Sequence, residues 1–263
     1  LVDILCDGLE DAGVDEAAAR HAADGALALL PHGRWFDAST VRPPRQRAIV
    51  AARLLDDPSV RRWLGVNEFG LIAGILNRRV NGTALPPSVA RSRGLLCMQL
   101  LQAKSLADAL SVIRQDRARY NPFTLLFADK DDAYVAYNDE TKINLQRLSM
   151  GLHVFSSAAE FELHSAKAER AYARFASLLD RPKLRSAPPA QWLAPMQNIL
   201  SDHSLGDGSD NPGDAICVHR DTSGTVSSSV IFYGQSEHLF TGFHCAGAPC
   251  QNAFGGALNL AVR

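Results

Sequence analysis

The feature that most constrains the fold is the apolar run LIAGIL at residues 71–76, which directly follows the turn-forming stretch VNEFG. Successive side chains of a strand point to opposite faces, so a run without a polar position is buried on both faces. The preceding WLGV at 63–66 provides a shorter partner, and Asn67 and Gly70 suit a four-residue turn. We therefore predict a β-hairpin whose second strand is covered on both faces and stops near Asn77.

Beyond this hairpin, the chain alternates between groups of strands and groups of helices. Helices are predicted at 14–30, from Ser92 onward, at 105–114, at 160–179 and at 192–200. Strands are predicted at 48–55, 122–129, 133–139, 143–148, 152–157, 215–221, 225–234 and 237–244. Short turns between consecutive strands favour antiparallel pairing, and grouped helices indicate layers. The expected fold is α+β, with sheets covered by helices.

Composition excludes several classes of partner. The 263 residues carry a formal net charge of −1, with 46% hydrophobic and 21% charged residues, which is ordinary for a globular protein. Bulk charge therefore predicts no nucleic-acid partner, and the apolar runs are too short to span a membrane. Five cysteines, an odd number in a chain of this length, favour reduced thiols. No signal peptide is recognised, so we expect a cytoplasmic protein.

Several cysteine and histidine residues lie near one another in the C-terminal part of the sequence. Cys217 and His219 form a Cys-x-His pair, and His244 and Cys245 precede Cys250 by a spacing that zinc sites tolerate. No Cys-x-x-Cys motif accompanies these residues to support a metal centre, so we interpret them as strand and turn positions. The sequence predicts neither a metal nor a cofactor.

Six segments together resemble the NRDE family, which includes the transport and Golgi organisation protein 2 homologues. They occur in the family's order and cover residues 48–254. The segments are WLGVNEFGLIAGILNRR with SRG at 92–94, YNPFTLLFAD at 120–129, GLHVFSS at 151–157, AICVHRD at 215–221, GTVSSSVI at 224–231 and FHCAGAPC at 243–250.

The resemblance implies an N-terminal-nucleophile hydrolase fold, a four-layer αββα sandwich of antiparallel sheets. In such hydrolases the first residue of the mature chain attacks an amide or ester carbonyl, and its own α-amine acts as the base. An asparagine at the end of a buried strand stabilises the developing oxyanion. By resemblance, Asn77 is this oxyanion donor. The alternative is that Asn77 only turns the chain after the strand.

The N-terminal segment departs from the family pattern. Family members begin with Met-Cys, whereas this chain begins at Leu1, so Cys6 is a nucleophile only if the chain is processed before it. The Asn-Arg-Asp-Glu motif is missing, and Arg34 is a weak candidate for its arginine. We assign residues 1–47 to an N-terminal segment with one helix and residues 48–263 to the family domain. Residues 1–47 are either divergent or truncated, or are not the native product of the gene.

The predicted function is therefore to bind or carry a small amphipathic ligand, related by resemblance to haem or to acyl and lipid compounds, without the N-terminal nucleophile. The alternative is an N-terminal-cysteine amidohydrolase or acyltransferase acting on an amide or thioester bond. Candidate ligand-binding residues are Asn67, Ser157, where the family more often has asparagine, and Ser227 and Ser229, which share one face of a predicted strand.

Overall fold

The computed structural model describes residues 64–78, 90–116, 118–138, 142–156, 165–206, 208–221 and 224–263. It shows a mixed α+β protein with two antiparallel sheets. The predicted helix at 14–30 and strand at 48–55 lie outside the described residues, as do Cys6, Arg34 and Ser157. Within the described ranges, no helix combines the length and apolar character needed to cross a bilayer.

The first sheet has five strands in chain order, each antiparallel to the next. They are β1 (Leu64–Val66), β2 (Ile72–Asn77), β3 (Phe123–Ala128), β4 (Ala133–Asn138) and β5 (Ile143–Arg147). The predicted hairpin is confirmed: Leu64 pairs with Gly74 and Val66 with Ile72. Gly70 closes the turn with a φ of 86°, a left-handed conformation that glycine adopts without steric cost.

Two helices follow the hairpin, α1 (Arg93–Leu101) and α2 (Leu106–Gln115). The predicted start of α2 is confirmed because Ser105 Oγ accepts a hydrogen bond from the Asp108 backbone N–H at 3.1 Å. Both helices share a core with one face of β2, represented by Ala73 and Ile75.

The second half of the chain contributes three helices and a second sheet. The helices are α3 (Ala166–Leu179), α4 (Pro182–Arg185) and α5 (Pro189–Leu200), followed by a 3-10 helix at Pro212–Asp214. The sheet is an antiparallel meander of β6 (Ser228–Gly234), β7 (Leu239–Cys245) and β8 (Leu258–Ala261).

Three apolar clusters hold these elements together. The first joins α1 and α2 to the first sheet. The second joins α3 and α5 to β6, with Trp192 and Val230 among its members. The third contains Ile72 and Ala128 of the first sheet together with Ile231 and Phe240 of the second. Strand β2 is therefore covered on both faces, as its unbroken apolar sequence predicts.

Two predicted strands are wrong, and one strand was missed. Residues 152–156 form no strand, although Leu152 and Val154 still pack on the second cluster. Residues 215–221 form only an isolated bridge, because their buried backbone pairs with a loop and with a threonine side chain. The short terminal strand β8 has half-exposed and exposed positions and gave no strong apolar signal.

Candidate functional site

Asn77 occupies the last position of β2, opposite Phe123 of β3. It falls on the same strand face as Ala73 and Ile75, which contact the core under α1 and α2. Its side-chain oxygen Oδ1 is buried and has no hydrogen-bond partner within the described part of the chain. A half-buried asparagine thus ends an otherwise apolar strand, and its buried Oδ1 remains available.

Two guanidinium groups are fixed beside the end of β2. The carbonyl oxygen of Pro122 accepts hydrogen bonds from the Arg78 backbone N–H at 3.1 Å and from Arg93 Nη1 at 3.0 Å. The Arg78 side chain also donates to the Asn138 carbonyl at 3.3 Å and stacks on Tyr137, 5.0 Å from the ring centroid. Positive charge at this edge suits an anionic or carbonyl group.

We call Asn77, Arg78, Arg93, Pro122 and Asn138 the Asn77 end of the first sheet. The Asn138 side chain holds the backbone at the start of β3 in place. Its buried side chain accepts from the Phe123 N–H at 2.7 Å and donates to the Tyr120 carbonyl at 3.1 Å.

Asn67, in contrast, lies at the opposite end of β2. Its Nδ2 donates to the carbonyls of Leu101 at 3.0 Å and Ala103 at 2.8 Å. Its Oδ1 accepts from the backbone N–H groups of Phe69 and Leu71 at 2.9 and 3.0 Å. These four bonds use the full hydrogen-bonding capacity of the side chain. The length of β2, about 17 Å at ~3.4 Å per residue, separates Asn67 from the Asn77 end.

Ser227 and Ser229 belong to the second sheet. Ser229 Oγ lies 2.9 Å from Nδ1 of His244, its cross-strand neighbour on β7, whereas Ser227 precedes the first residue of β6. Desolvation lowers the pKa of His244, so its ring stays neutral near pH 7. The contact between Ser229 and His244 resembles the pairing of a catalytic nucleophile with its general base. The described contacts of His244 include no carboxylate that would orient its ring in the manner of a catalytic triad.

Two histidines and two cysteines form a second group of candidate site residues, and only three of the four were noted from the sequence. His203, Cys217, His219 and Cys250 place one potential ligand atom each within 4.8 Å of one another. Cys217 Sγ lies 3.6 Å from both His219 Nε2 and Cys250 Sγ, and the His219 Nε2 to Cys250 Sγ distance is 3.2 Å. Burial, reinforced by the Cys250 thiol, raises the pKa of Cys217 to about 11.

His203 was missed because no local motif connects it to Cys217. The only sequence signal was its place in a polar loop that returns the chain to the second sheet. His244 and Cys245, which the sequence grouped with Cys250, are not among the four residues. Cys245 Sγ instead donates to the carbonyls of Gly247 and Asn252.

Comparison with known proteins decides the family. The family described as Transport and Golgi organisation 2 matches residues 38–241, which is more than half of the chain. The chain belongs to the Transport and Golgi organisation 2 family. This confirms the family resemblance, and five of the six sequence segments lie inside the matched range, whereas FHCAGAPC at 243–250 lies beyond it. No curated protein matches the chain.

The family match includes some of the candidate residues and excludes others. Asn77 and its surrounding arginines lie inside the matched range, as do His203, Cys217 and His219. Cys250 lies beyond it. Membership in the Transport and Golgi organisation 2 family therefore covers the whole Asn77 end but only three of the four clustered cysteine and histidine residues.

Proposed function

We propose that this protein binds or carries a small amphipathic molecule whose polar end contacts the Asn77 end of the first sheet. The observation that carries the proposal is the buried, unpartnered Oδ1 of Asn77. Leaving a buried polar atom without a hydrogen bond costs about 1–3 kcal/mol, and such atoms are rare in folded proteins. A ligand that supplies the missing partner recovers this free energy on binding.

After rotation, the Asn77 carboxamide can also serve a carbonyl-bearing ligand. No hydrogen bond holds Oδ1 within the described residues, so a half-turn of the carboxamide places the Nδ2 donor where Oδ1 now lies. Arg78 and Arg93 add positive charge beside that position. Carboxylates of haem and the thioester or phosphate groups of acyl-coenzyme A compounds fit this donor set, and these are the ligands that the family resemblance suggests.

The proposal includes a four-layer arrangement like that of the N-terminal-nucleophile hydrolases. The three apolar clusters support it. The first joins helices α1 and α2 to the first sheet, and the third contains residues of both sheets. The second joins helices α3 and α5 to β6 of the second sheet. Helix, sheet, sheet and helix then follow in order, with the Asn77 end at the rim of the first sheet.

An amidohydrolase or acyltransferase remains the second candidate function. The observation that favours it is the position of Asn77 at the end of a buried strand, where the family resemblance places the oxyanion donor. This candidate needs an N-terminal nucleophile, for which Cys6 is the sequence candidate. Intact-mass analysis of the mature protein separates the two: a chain starting at Cys6 supports hydrolysis, and a mature N-terminus without cysteine excludes it.

Binding titrations test the proposed function directly. Haemin binding is followed by its absorption change and acyl-coenzyme A binding by calorimetry, on the wild type and on Asn77→Ala. We expect about 10- to 100-fold weaker binding for the variant, corresponding to one charge-assisted hydrogen bond of about 1.5–3 kcal/mol. Asn259→Ala, at an exposed position of β8, is the matched control and retains wild-type affinity. Equal affinities for Asn77→Ala and Asn259→Ala contradict the proposal, as does a wild type that binds neither compound class.

A further inference from the structure

We propose that His203, Cys217, His219 and Cys250 bind one zinc ion in a tetrahedral site. The four residues come from three separate segments: the loop after α5, the segment before β6, and the turn between β7 and β8. The site does not involve the Asn77 end, and the proposal does not depend on the function proposed above.

The distances between the potential ligand atoms match a tetrahedral zinc site. With zinc–sulfur bonds of about 2.3 Å and zinc–nitrogen bonds of about 2.0–2.1 Å, tetrahedral geometry places two sulfurs ~3.8 Å apart and a sulfur and a nitrogen ~3.6 Å apart. The Cys217 and Cys250 sulfurs are 3.6 Å apart, and His219 Nε2 lies 3.6 and 3.2 Å from them. One ion therefore reaches these three atoms with adjustments of a few tenths of an ångström.

His203 makes the kind of backbone hydrogen bond that metal-binding histidines make. Its Nδ1 lies 3.1 Å from the carbonyl oxygen of Cys217. A carbonyl only accepts hydrogen bonds, so Nδ1 carries a proton and Nε2 is the ring nitrogen left to bind a metal. Metal-binding histidines in proteins are commonly fixed in this way by a backbone carbonyl. The rings of His203 and His219 lie side by side, with centroids 5.0 Å apart.

Hydrogen bonds outside the cluster fix the segments that carry it. The Cys217 N–H donates to the Asp202 carbonyl at 2.8 Å, which ties the cysteine to the loop holding His203. Gln197 of α5 donates through Nε2 to the carbonyls of Pro249 at 2.8 Å and Asn252 at 2.9 Å, on both sides of Cys250. The three segments are thus held in place by contacts that do not require a metal.

Four protein ligands leave no open coordination position, which is typical of structural rather than catalytic zinc. Cys217 is fully buried, so its thiolate is stabilised chiefly by the ion. On binding, Zn²⁺ replaces one proton on each of the two thiols, and the two neutral imidazoles contribute lone pairs. The ion then joins the end of α5 to the β7–β8 turn, across more than forty residues of sequence.

Cobalt substitution tests the site, since Co²⁺ bound by two thiolates and two imidazoles has intense visible bands and a thiolate-to-metal charge-transfer band. The reduced, metal-free full-length chain is titrated with Co²⁺ and then with Zn²⁺. We expect one Co²⁺ per chain, displaced by one Zn²⁺. Cys250→Ser and His219→Gln each remove a metal ligand and should weaken Co²⁺ binding by more than about 100-fold. Losing only a residue that hydrogen-bonds to a metal ligand already costs about 10- to 100-fold in metal affinity. The matched control, Cys245→Ser, removes a neighbouring buried thiol and should leave the spectrum unchanged.

Two results overturn the proposal. One is the absence of tetrahedral Co²⁺ bands in reduced wild-type protein whose circular dichroism shows a folded chain. The other is an equal loss of the bands in Cys245→Ser and Cys250→Ser. If the reduced chain binds no Co²⁺ and peptide mapping of the oxidised chain finds a Cys217–Cys250 disulfide, the cluster is a redox pair and not a zinc site. Because His219 and Cys250 are less buried than Cys217, their variants remain informative if Cys217→Ser fails to fold.

Discussion

Replacing Asn67 tests whether this residue maintains the hairpin or contacts a ligand. Asn67→Ala removes four hydrogen bonds between the side chain and the backbone, two of which join the turn to the connection between α1 and α2. Each such bond contributes about 0.5–1.5 kcal/mol, and water partly replaces the lost partners because the site is half-buried. We therefore expect the free energy of unfolding to fall by about 2–4 kcal/mol.

The assay is urea unfolding followed by circular dichroism, with thermal unfolding as a second measurement. The melting temperature should drop by roughly 4–16 °C, at about 2–4 °C per kcal/mol for a chain of this size. Asn67→Asp is the informative partner variant, because it keeps the oxygen acceptors for Phe69 and Leu71 but places a carboxylate oxygen against the carbonyls that Nδ2 contacts. It should lose at least as much stability as Asn67→Ala, because two carbonyl oxygens and a carboxylate oxygen repel one another.

The opposite pattern would refute this reasoning. If Asn67→Ala unfolds at the same urea concentration as the wild type but binds haemin or acyl-coenzyme A more weakly, Asn67 belongs to the ligand site. The sequence-based assignment of Asn67 to ligand binding would then hold.

Two further predictions concern the cap of α2 and the cysteine–histidine cluster. Ser105→Ala should lower the free energy of unfolding by about 1 kcal/mol, measured by urea titration, because it removes the acceptor for the Asp108 N–H. Ser111→Ala, at an exposed position within the same helix, should be neutral, and an equal loss in both variants would contradict the capping role. Because the pKa of Cys217 is raised to about 11, its thiol is protonated at neutral pH and must lose its proton to bind metal. Co²⁺ affinity should therefore rise at least about 10-fold from pH 7 to pH 8, and a pH-independent affinity would exclude Cys217 as a thiolate ligand.

Local patterns were sufficient to predict the first half of the described fold. The apolar run at 71–76 identified a strand covered on both faces, and the Ser-x-x-Asp pattern located the start of α2. Both signals arise from interactions within a few residues, either alternation along one strand or a hydrogen bond from a helix cap. Asn77 was likewise placed correctly at the strand end.

The segment at 215–221 shows where local patterns fail. Its apolar residues are buried, as in a strand, but the Cys217 N–H pairs with Asp202 and the Val218 N–H with the Thr225 side chain. Burial alone does not determine which backbone groups pair, and the pairing here depends on loops distant in sequence. The same limitation concealed His203, because its proximity to Cys250 results from tertiary folding.

The proposed function was only partly accessible from sequence. The family resemblance suggested a role for Asn77, and the pattern SRG at 92–94, which contains Arg93, was part of that resemblance. That Arg93 and Arg78 share the Pro122 carbonyl depends on the packing of α1 against β2 and β3. The geometry of the Asn77 end therefore became visible only in three dimensions.

The most direct test of the central claim is the nuclear magnetic resonance signal of the Asn77 side-chain amide in isotope-labelled protein, assigned by comparison with Asn77→Ala and followed during titration with an acyl-coenzyme A. If the Asn77 end binds the ligand, this signal shifts in a saturable way while the Asn259 side-chain signal stays in place. An Asn77 signal that does not move when calorimetry reports full occupancy would contradict the claim.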